Sequence, residues 1–358
     1  MSTMNHSFWQ DQAGVPATIR ESPVPTKVED DELLIKVQAW AMNPVNAYIQ
    51  MQALPFFSYP MIPGEDISGA VELVGSGAAS KFKVGDRVVG LALGASGKGK
   101  TENGGFQEYV VVNHALVAKI PTSMSFAEAS VFPLCIATAA QALFGKRYLA
   151  LPYPKVESAN STGKSVLIWG GASGVGSNSI QMAKAAGFEV ITTCSARNFE
   201  YVMSIGASKA FDYSSATVVN DIVAEIDKGT CAGIFQAAGP FDAVVPCCQV
   251  SHKSKQKLFV ACANQVPEGA APAGVEANFV FWSDDNKAAY YETSSVIFGE
   301  FLPEALENGS YKVAPKPDVV PTKGIEGIQE ALDIVKKGRP AGENKGGYGI
   351  NEVLSHVR

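Results

Sequence analysis

A chain of 358 residues, 46% hydrophobic and 18% charged, is long enough for two domains with full-sized cores, and its composition excludes a disordered chain. The net charge of −6, with no long run of Lys or Arg, argues against a nucleic-acid binder, which needs a basic face first of all. Small molecules are the expected partners.

Residues 1–20 lack the apolar core of a signal peptide, and the most hydrophobic window, 129–144, is broken by Ser130, Pro133, Thr138 and Gln141, so no membrane span is expected. The six cysteines, Cys135, Cys194, Cys231, Cys247, Cys248 and Cys262, have no framework spacing and lie mostly in apolar runs. There a cysteine behaves as a small hydrophobe, which suggests a reduced, cytoplasmic protein.

Residues 31–40 alternate as a strand with one buried face, and Pro44 ends it at a turn, Asn43-Pro44-Val45-Asn46-Ala47-Tyr48. Between 60 and 90, short apolar runs separated by glycines predict further strands and a small β-rich barrel. Residues 125–145 read as a helix with Ser125 as N-cap and Glu128 three residues on, bent or interrupted at Pro133. Residues 151–162, with Pro152 and Pro154, are a surface connection.

The stretch that organises the chain follows at 164–177. Residues 166–169 are a strand too short for a buried helix, Gly170-Gly171-Ala172-Ser173-Gly174-Val175-Gly176 is a tight turn, and Ile180, Ala183 and Gly187 have helical spacing. Glycines let a ligand approach the backbone, and free N–H groups with the dipole at a helix start attract a pyrophosphate. The match to the dinucleotide fingerprint is imperfect: Gly171 and Gly176 fill its outer positions, while Ser173 stands at the middle one. A turn that merely packs a helix on a strand has the same composition.

A second apolar run, 190–194, comes where the next parallel strand of a βαβ unit belongs, and its end should meet the adenosine ribose. NAD sites usually carry Asp or Glu there. This strand ends in Ser195-Ala196-Arg197-Asn198, and a hydroxyl with a guanidinium suits a 2′-phosphate, so NADPH is expected. Arg197 taken alone is equally an ordinary surface charge. Short strands at 210–213, 232–239 and 258–262 alternate with helix-like segments, which predicts a doubly wound α/β sheet. Residues 278–282 are read as a last β stretch, 287–292 as an aromatic insertion, and 325–337 as an amphipathic helix stopped by Gly338.

Gly64-Glu65-Asp66 with Gly69 and Val71, Val84-Gly85-Asp86-Arg87-Val88, Gly104-Gly105-Phe106-Gln107-Glu108-Tyr109 and the cofactor turn occur in the order and spacing of the medium-chain dehydrogenases/reductases. The chain resembles that family over nearly its full length. The Asn43 to Tyr48 segment is similar to the quinone oxidoreductase branch, and Ile297-Phe298-Gly299-Glu300 with the Cys194 to Asn198 loop is similar to fungal trans-acting enoyl reductases that serve polyketide synthases.

The resemblance implies a Rossmann cofactor domain at 138–292 and a GroES-like barrel domain formed by 1–137 and 293–358. It implies cofactor contacts from Val45, Thr138, Cys262 and Phe298, from Tyr213 over the adenosine phosphate, and from Ala341 and Gly342 in the returning segment, besides Gly171 to Gly176 and Ser195, Arg197 and Asn198. Thr138 could instead bond back to its own helix, and Tyr213 could be a rim tyrosine. Zinc-dependent members have Cys and His where this chain has Asn43 and Glu65, and residues 91–103 contain no cysteine, so zinc-independent chemistry is expected.

Asn43, Asn46 and Tyr48 are the candidate catalytic residues, with Tyr48 at the substrate carbonyl; the two asparagines could equally just stabilise the turn. The expected activity is NADPH-dependent reduction of a conjugated enone or enoyl thioester, with an acyl carrier or polyketide synthase as a further partner and a monomeric or homodimeric state. A broad quinone or alkenal reductase and a non-catalytic NADPH-binding protein are the alternatives.

Overall fold

The computed structural model describes residues 4–52, 57–94, 100–157, 160–337 and 354–357. Strands β1 (Met4–Trp9) and β2 (Thr18–Pro23) form an antiparallel hairpin. The next strand, β3 (Glu32–Ala41), carries the alternation seen in the sequence: Leu33, Ile35 and Val37 enter the main core, whereas Leu34 packs on the other face with Tyr109 and Val111. Helix α1 (Pro44–Met51) follows at once, with Pro44 in its first turn, where a missing N–H costs nothing. Then come β4 (Asp66–Val74), β5 (Arg87–Leu91), β6 (Tyr109–Asn113) and β7 (Val117–Lys119). These strands form an antiparallel sheet in the order β3-β4-β5-β7, with β6 on the other edge of part of β3 and two register shifts between β3 and β4.

Helix α2 (Phe126–Ser130) opens on the expected capping box, the Ser125 backbone N–H donating to the Glu128 carboxylate at 2.9 Å. Pro133 does interrupt the run, and α3 (Pro133–Phe144) starts anew there. The stretch from Phe126 to Phe144 is long and apolar enough to cross a membrane, yet most of it is buried inside the protein as a core helix.

The second sheet is wholly parallel. It takes in β8 (Lys164–Trp169), α4 (Gly174–Ala185), β9 (Glu189–Cys194), α5 (Phe199–Ser204), β10 (Lys209–Asp212), α6 (Val218–Ile226), β11 (Thr230–Gln236), α7 (Val244–Lys253), β12 (Val260–Cys262) and β13 (Ala277–Phe279). The strand order is β10-β9-β8-β11-β12-β13, so the order reverses between β8 and β11, where open α/β sheets bind ligands. The strands are apolar on both faces because both are covered: Val166 and Ile168 enter the core shared with α3 and α4, and Leu167 and Trp169 the core under α6 and α7.

Residues 287–292 are no insertion but the start of α8 (Lys287–Val296), which runs through a π-helical stretch, Ile297–Phe301, into α9 (Leu302–Glu307). Tyr290, Thr293, Ser294, Ile297 and Phe298 recur at helical spacing and are all buried, a periodicity that the adjacent tyrosines disguised. The chain then returns to the first sheet through β14 (Asp318–Val319), α10 (Gly327–Lys337) and β15 (Leu354–Val357), the last pairing antiparallel with β3. Gly338, the expected stop of α10, lies outside the described residues.

Candidate functional site

At the carboxyl end of β8 the chain must turn sharply into α4. Gly170 adopts φ +88°, and a Cβ on Gly176 would stand 2.2 Å from the Gly170 carbonyl oxygen, so the turn closes only on glycine. Ser173, the departure from the fingerprint, is the N-cap of α4: its Oγ accepts from Gly176 N at 2.8 Å. The N–H groups of Gly174 and Val175 remain without an intrahelical acceptor by their position in the first turn. Gly171, Ala172 and Ser173 frame them, so this element supplies both the close approach and the donors a pyrophosphate requires. The residues present fit a dinucleotide.

The adenosine end is formed by the strand ends beside this turn. After β9, Ser195 caps a short 3-10 turn, Ala196–Asn198, in which Asn198 N donates to Ser195 O at 2.8 Å and Asn198 Nδ2 to Ser195 Oγ at 3.1 Å. Arg197 and Tyr213 are exposed, and neither has a hydrogen bond or ion pair among the described residues.

The opposite wall belongs to the first sheet. Asn43 and Asn46, expected at the substrate, are instead buried beneath α1: Asn43 Nδ2 donates to Asp66 Oδ2 at 2.9 Å, Asn46 Nδ2 to Glu65 Oε2 at 2.5 Å, and Asn43 N to Asn46 Oδ1 at 2.7 Å. Their amides hold the α1 turn on the two carboxyls, the arrangement expected if the asparagines stabilise that turn. Tyr48, on the same helix, is 42% exposed, and its hydroxyl makes no hydrogen bond among the described residues. Val45 packs with Phe57 and Tyr59 against Ile49 and Met61 in a small apolar cluster beside it.

Glu65 and Asp66 are what the sequence reading undervalued. Burial pushes Glu65 up to about 7, against the Asn46 amide, and Asp66 up to about 8, against the Asn43 amide and the Leu134 N–H. That N–H, 2.6 Å from Asp66 Oδ1, belongs to the first turn of α3, so Asp66 also fastens α3 to β4. Glu65 Oε1 is buried without a partner among the described residues.

Cys135, one residue further on, has its Sγ 2.7 Å from where a Cβ of Gly174 would lie, and burial raises its thiol well above the ordinary range. It is a packing group between α3 and the cofactor turn rather than a nucleophile. Thr138, a turn later on α3, is half-buried, and its hydroxyl makes no hydrogen bond among the described residues. Cys262 is fully buried in the core under α7, its carbonyl accepting from Val280 N at 2.7 Å, and Phe298 is fully buried in the main core. Ala341 and Gly342 lie outside the described residues. Among the described residues no three His, Cys, Asp or Glu side chains come together as a metal site.

A barrel-like antiparallel sheet facing a Rossmann sheet across a glycine turn defines a class of nicotinamide-dependent oxidoreductase, and the sequence agrees. Residues 29–122 match the alcohol dehydrogenase GroES-like domain and residues 174–264 the zinc-binding dehydrogenase family; the chain belongs to the medium-chain dehydrogenases/reductases. A dehydrogenase of Aspergillus niger is 40% identical over 330 residues, covering 89% of this chain and 92% of that one. A trans-enoyl reductase of Aspergillus japonicus is 35% identical, covering 94% and 95%. An alcohol dehydrogenase superfamily protein from Novosphingobium aromaticivorans has the same fold, with a TM-score of 0.71 at 25% identity over 99% of each chain.

Proposed function

We propose that the protein is an NADPH-dependent, zinc-independent reductase of conjugated carbon–carbon double bonds, acting on an enone or enoyl thioester in fungal secondary metabolism. The observation that carries the reading is the contact of the cofactor turn, at Gly174, with Cys135 of α3, the helix that Asp66 ties to the Asn43–Asn46 turn and α1. A hydride donor on that turn and an acceptor beside Tyr48 would thus be held by one connected framework. The trans-enoyl reductase of Aspergillus japonicus supports the substrate class.

When bound, NADPH supplies the hydride. The chain's own residues do the rest: the Gly174 and Val175 N–H groups hold the pyrophosphate, Ser195 and Arg197 take the 2′-phosphate, and Thr138 meets the nicotinamide ribose. Tyr48 donates its hydroxyl hydrogen bond to the substrate carbonyl and so favours the enolate that follows hydride addition. Alignment of donor and acceptor accounts for most of the remaining rate. Asn43 and Glu65 occupy the positions of zinc ligands in zinc-dependent relatives, but the Asn43 amide nitrogen donates to Asp66 and Glu65 Oε2 accepts from Asn46, and an asparagine amide in place of a thiolate is a poor ligand for the ion. In this reading 138–292 is the cofactor domain, 1–137 with 293–358 the catalytic domain, and a carrier-bound acyl chain is the natural substrate form.

The test is NADPH oxidation, followed by absorbance, against enones, enoyl-pantetheine thioesters and quinones. Turnover of the first two supports the reading. Turnover of quinones alone would make the protein a quinone reductase, and tight NADPH binding without any turnover a binding protein.

A further inference from the structure

Tyr48 sits in the last turn of α1, a helix about 12 Å long at the ordinary rise per residue. The Asn43 and Asn46 amides fasten its first turn, so an anchor near the other end decides where the axis points and where the Tyr48 ring lies. That anchor is Gln50. Two residues on from Tyr48, it points roughly 200° round the helix, to the opposite face, and is buried where Tyr48 is exposed.

The Gln50 amide is met from two directions. Its Nε2 donates to Gln10 Oε1 at 2.9 Å and to Gln329 Oε1 at 3.1 Å, while its Oε1 accepts from Gln329 Nε2 at 3.0 Å. Gln329 lies on α10, in the part of the chain that returns to the first sheet. Its other N–H donates to Asp333 Oδ1 at 2.8 Å, one turn along the same helix, and that carboxylate also accepts from Lys336 Nζ at 2.9 Å. Gln10 is fixed in turn, its Nε2 donating to the carbonyls of Gln12 and Val15 at 2.7 and 2.8 Å. Both N–H groups of each of the three glutamines are thus engaged, and none is left to trade partners. Removing one member leaves buried donors and acceptors unpaired, so the set holds a single geometry. Backbone bonds also reach the end of α1, from Gly14 N to the Gln50 carbonyl at 2.7 Å and from the Tyr59 hydroxyl to the Ile49 carbonyl at 2.5 Å, but both come from loops. The pair with Gln329 ties the Tyr48 turn to a packed helix.

We propose that Gln329 is a positioning residue for the reaction: through its paired amide with Gln50 it fixes the last turn of α1 on α10, and so sets the direction from which the Tyr48 hydroxyl reaches the substrate carbonyl. The inference rests on the reading of Tyr48 as the group at that carbonyl. Gln329 lies on the far side of α1 from the Tyr48 ring and acts only through the helix. A displacement of about 1 Å in a reacting group can cost on the order of a hundredfold in rate, so a small swing of one turn is enough to register.

The experiment follows the single-turnover rate of NADPH oxidation with benzylideneacetone, a bulky enone, together with the dissociation constant of NADPH and Tm, for the full chain and for Gln329→Leu, Asp333→Ala, Tyr48→Phe and the Tyr48→Phe/Gln329→Leu double variant. Gln329→Leu should slow hydride transfer about tenfold while NADPH affinity stays as in the wild type. Asp333→Ala removes only the brace on Gln329, at a half-buried position, and should slow it less; it reads the inference even where Gln329→Leu does not fold. In the Tyr48→Phe background the loss of Gln329 should add little, because a residue that acts through the Tyr48 hydroxyl has nothing left to position. Amides that served stability alone would lower Tm equally in both backgrounds and leave the rate untouched, which would overturn the inference, as would losses that multiply in the double variant or a fall in NADPH affinity. Tyr48→Phe with unaltered kinetics, or a wild type inert toward both benzylideneacetone and an enoyl-pantetheine thioester, would overturn the reading of Tyr48 and this inference with it. A slow Tyr48→Phe, with Gln329→Leu and Asp333→Ala at the wild-type rate, would overturn the inference alone.

Discussion

Glu65 and Asp66 stand side by side at the start of β4, and neither has an ion pair among the described residues. A buried carboxylate without a cation is costly, so the folded protein holds protons here that the unfolded chain would release. The ordinary values are 4.5 and 3.8, and burial takes the two groups to about 7 and about 8. Their contribution to stability is thus complete below about pH 4 and is lost as pH rises through 7 to 8. Glu65→Gln, which cannot ionise, should flatten the fall in Tm between about pH 4.5 and 7, and an unchanged slope in thermal melts would show that Glu65 is ionised throughout. Arg197 makes the complementary case at the surface. Arg197→Ala should cost NADPH roughly tenfold to a hundredfold in affinity and NADH almost nothing, the scale of one charged hydrogen-bonding group. Titration of both dinucleotides by fluorescence reads this directly.

At the scale of elements, α4 and its turn were legible because their chemistry is local: a short strand, glycines where the backbone closes, and a small polar residue at the cap. Ser173 looked like a flaw in a motif and is the residue that caps the helix, a role that needs only its own sequence neighbours. The pairing of Asn43 with Asp66 and of Asn46 with Glu65 was not legible, since it joins residues some twenty positions apart through a sheet register that periodicity does not reveal. Helix α8 was missed for another reason: Tyr290 and Tyr291 resembled an irregular aromatic segment, while the buried spacing lay in the smaller residues after them. The contact of Cys135 with Gly174 gives a test of how tightly α3 and α4 are fitted. Gly174→Ala should impair NADPH binding and lower Tm, because its Cβ would meet the Cys135 sulfur at 2.7 Å. Removing that sulfur with Cys135→Ala should restore much of the loss in the double variant, since residues in contact couple. Additive damage would place the cause elsewhere in the turn.

Across the whole molecule, the two sheets leave the cofactor turn on one side and α1 on the other, and the aromatic residues around them bear on substrate size. Phe56 lies outside the described residues, and Phe106 is core, packed edge-on to Phe8. Phe57 and Tyr59 pack beside Tyr48's helix, while Phe281 is 44% exposed just past the end of β13 and stacks on Phe279. Trp282 is half-buried, and its indole N–H has no acceptor among the described residues. If Phe57, Tyr59, Phe281 and Trp282 line the site proposed above, it should take a large apolar ligand with a few polar anchors. A bulky enone or pantetheine thioester should therefore be reduced with much higher kcat/KM than a short enal, and prior treatment with a chelator should leave both the rate and Tm unaltered. Tyr48→Phe then isolates the mechanism. Its hydroxyl is exposed and no described residue depends on it for a hydrogen bond, so the variant should fold and bind NADPH as the wild type does. If the hydroxyl polarises the carbonyl only as the enolate forms, kcat and kcat/KM fall together, by about tenfold to a hundredfold. Unaltered kinetics on several enones would leave proton delivery to solvent and carbonyl polarisation to another group of the cleft.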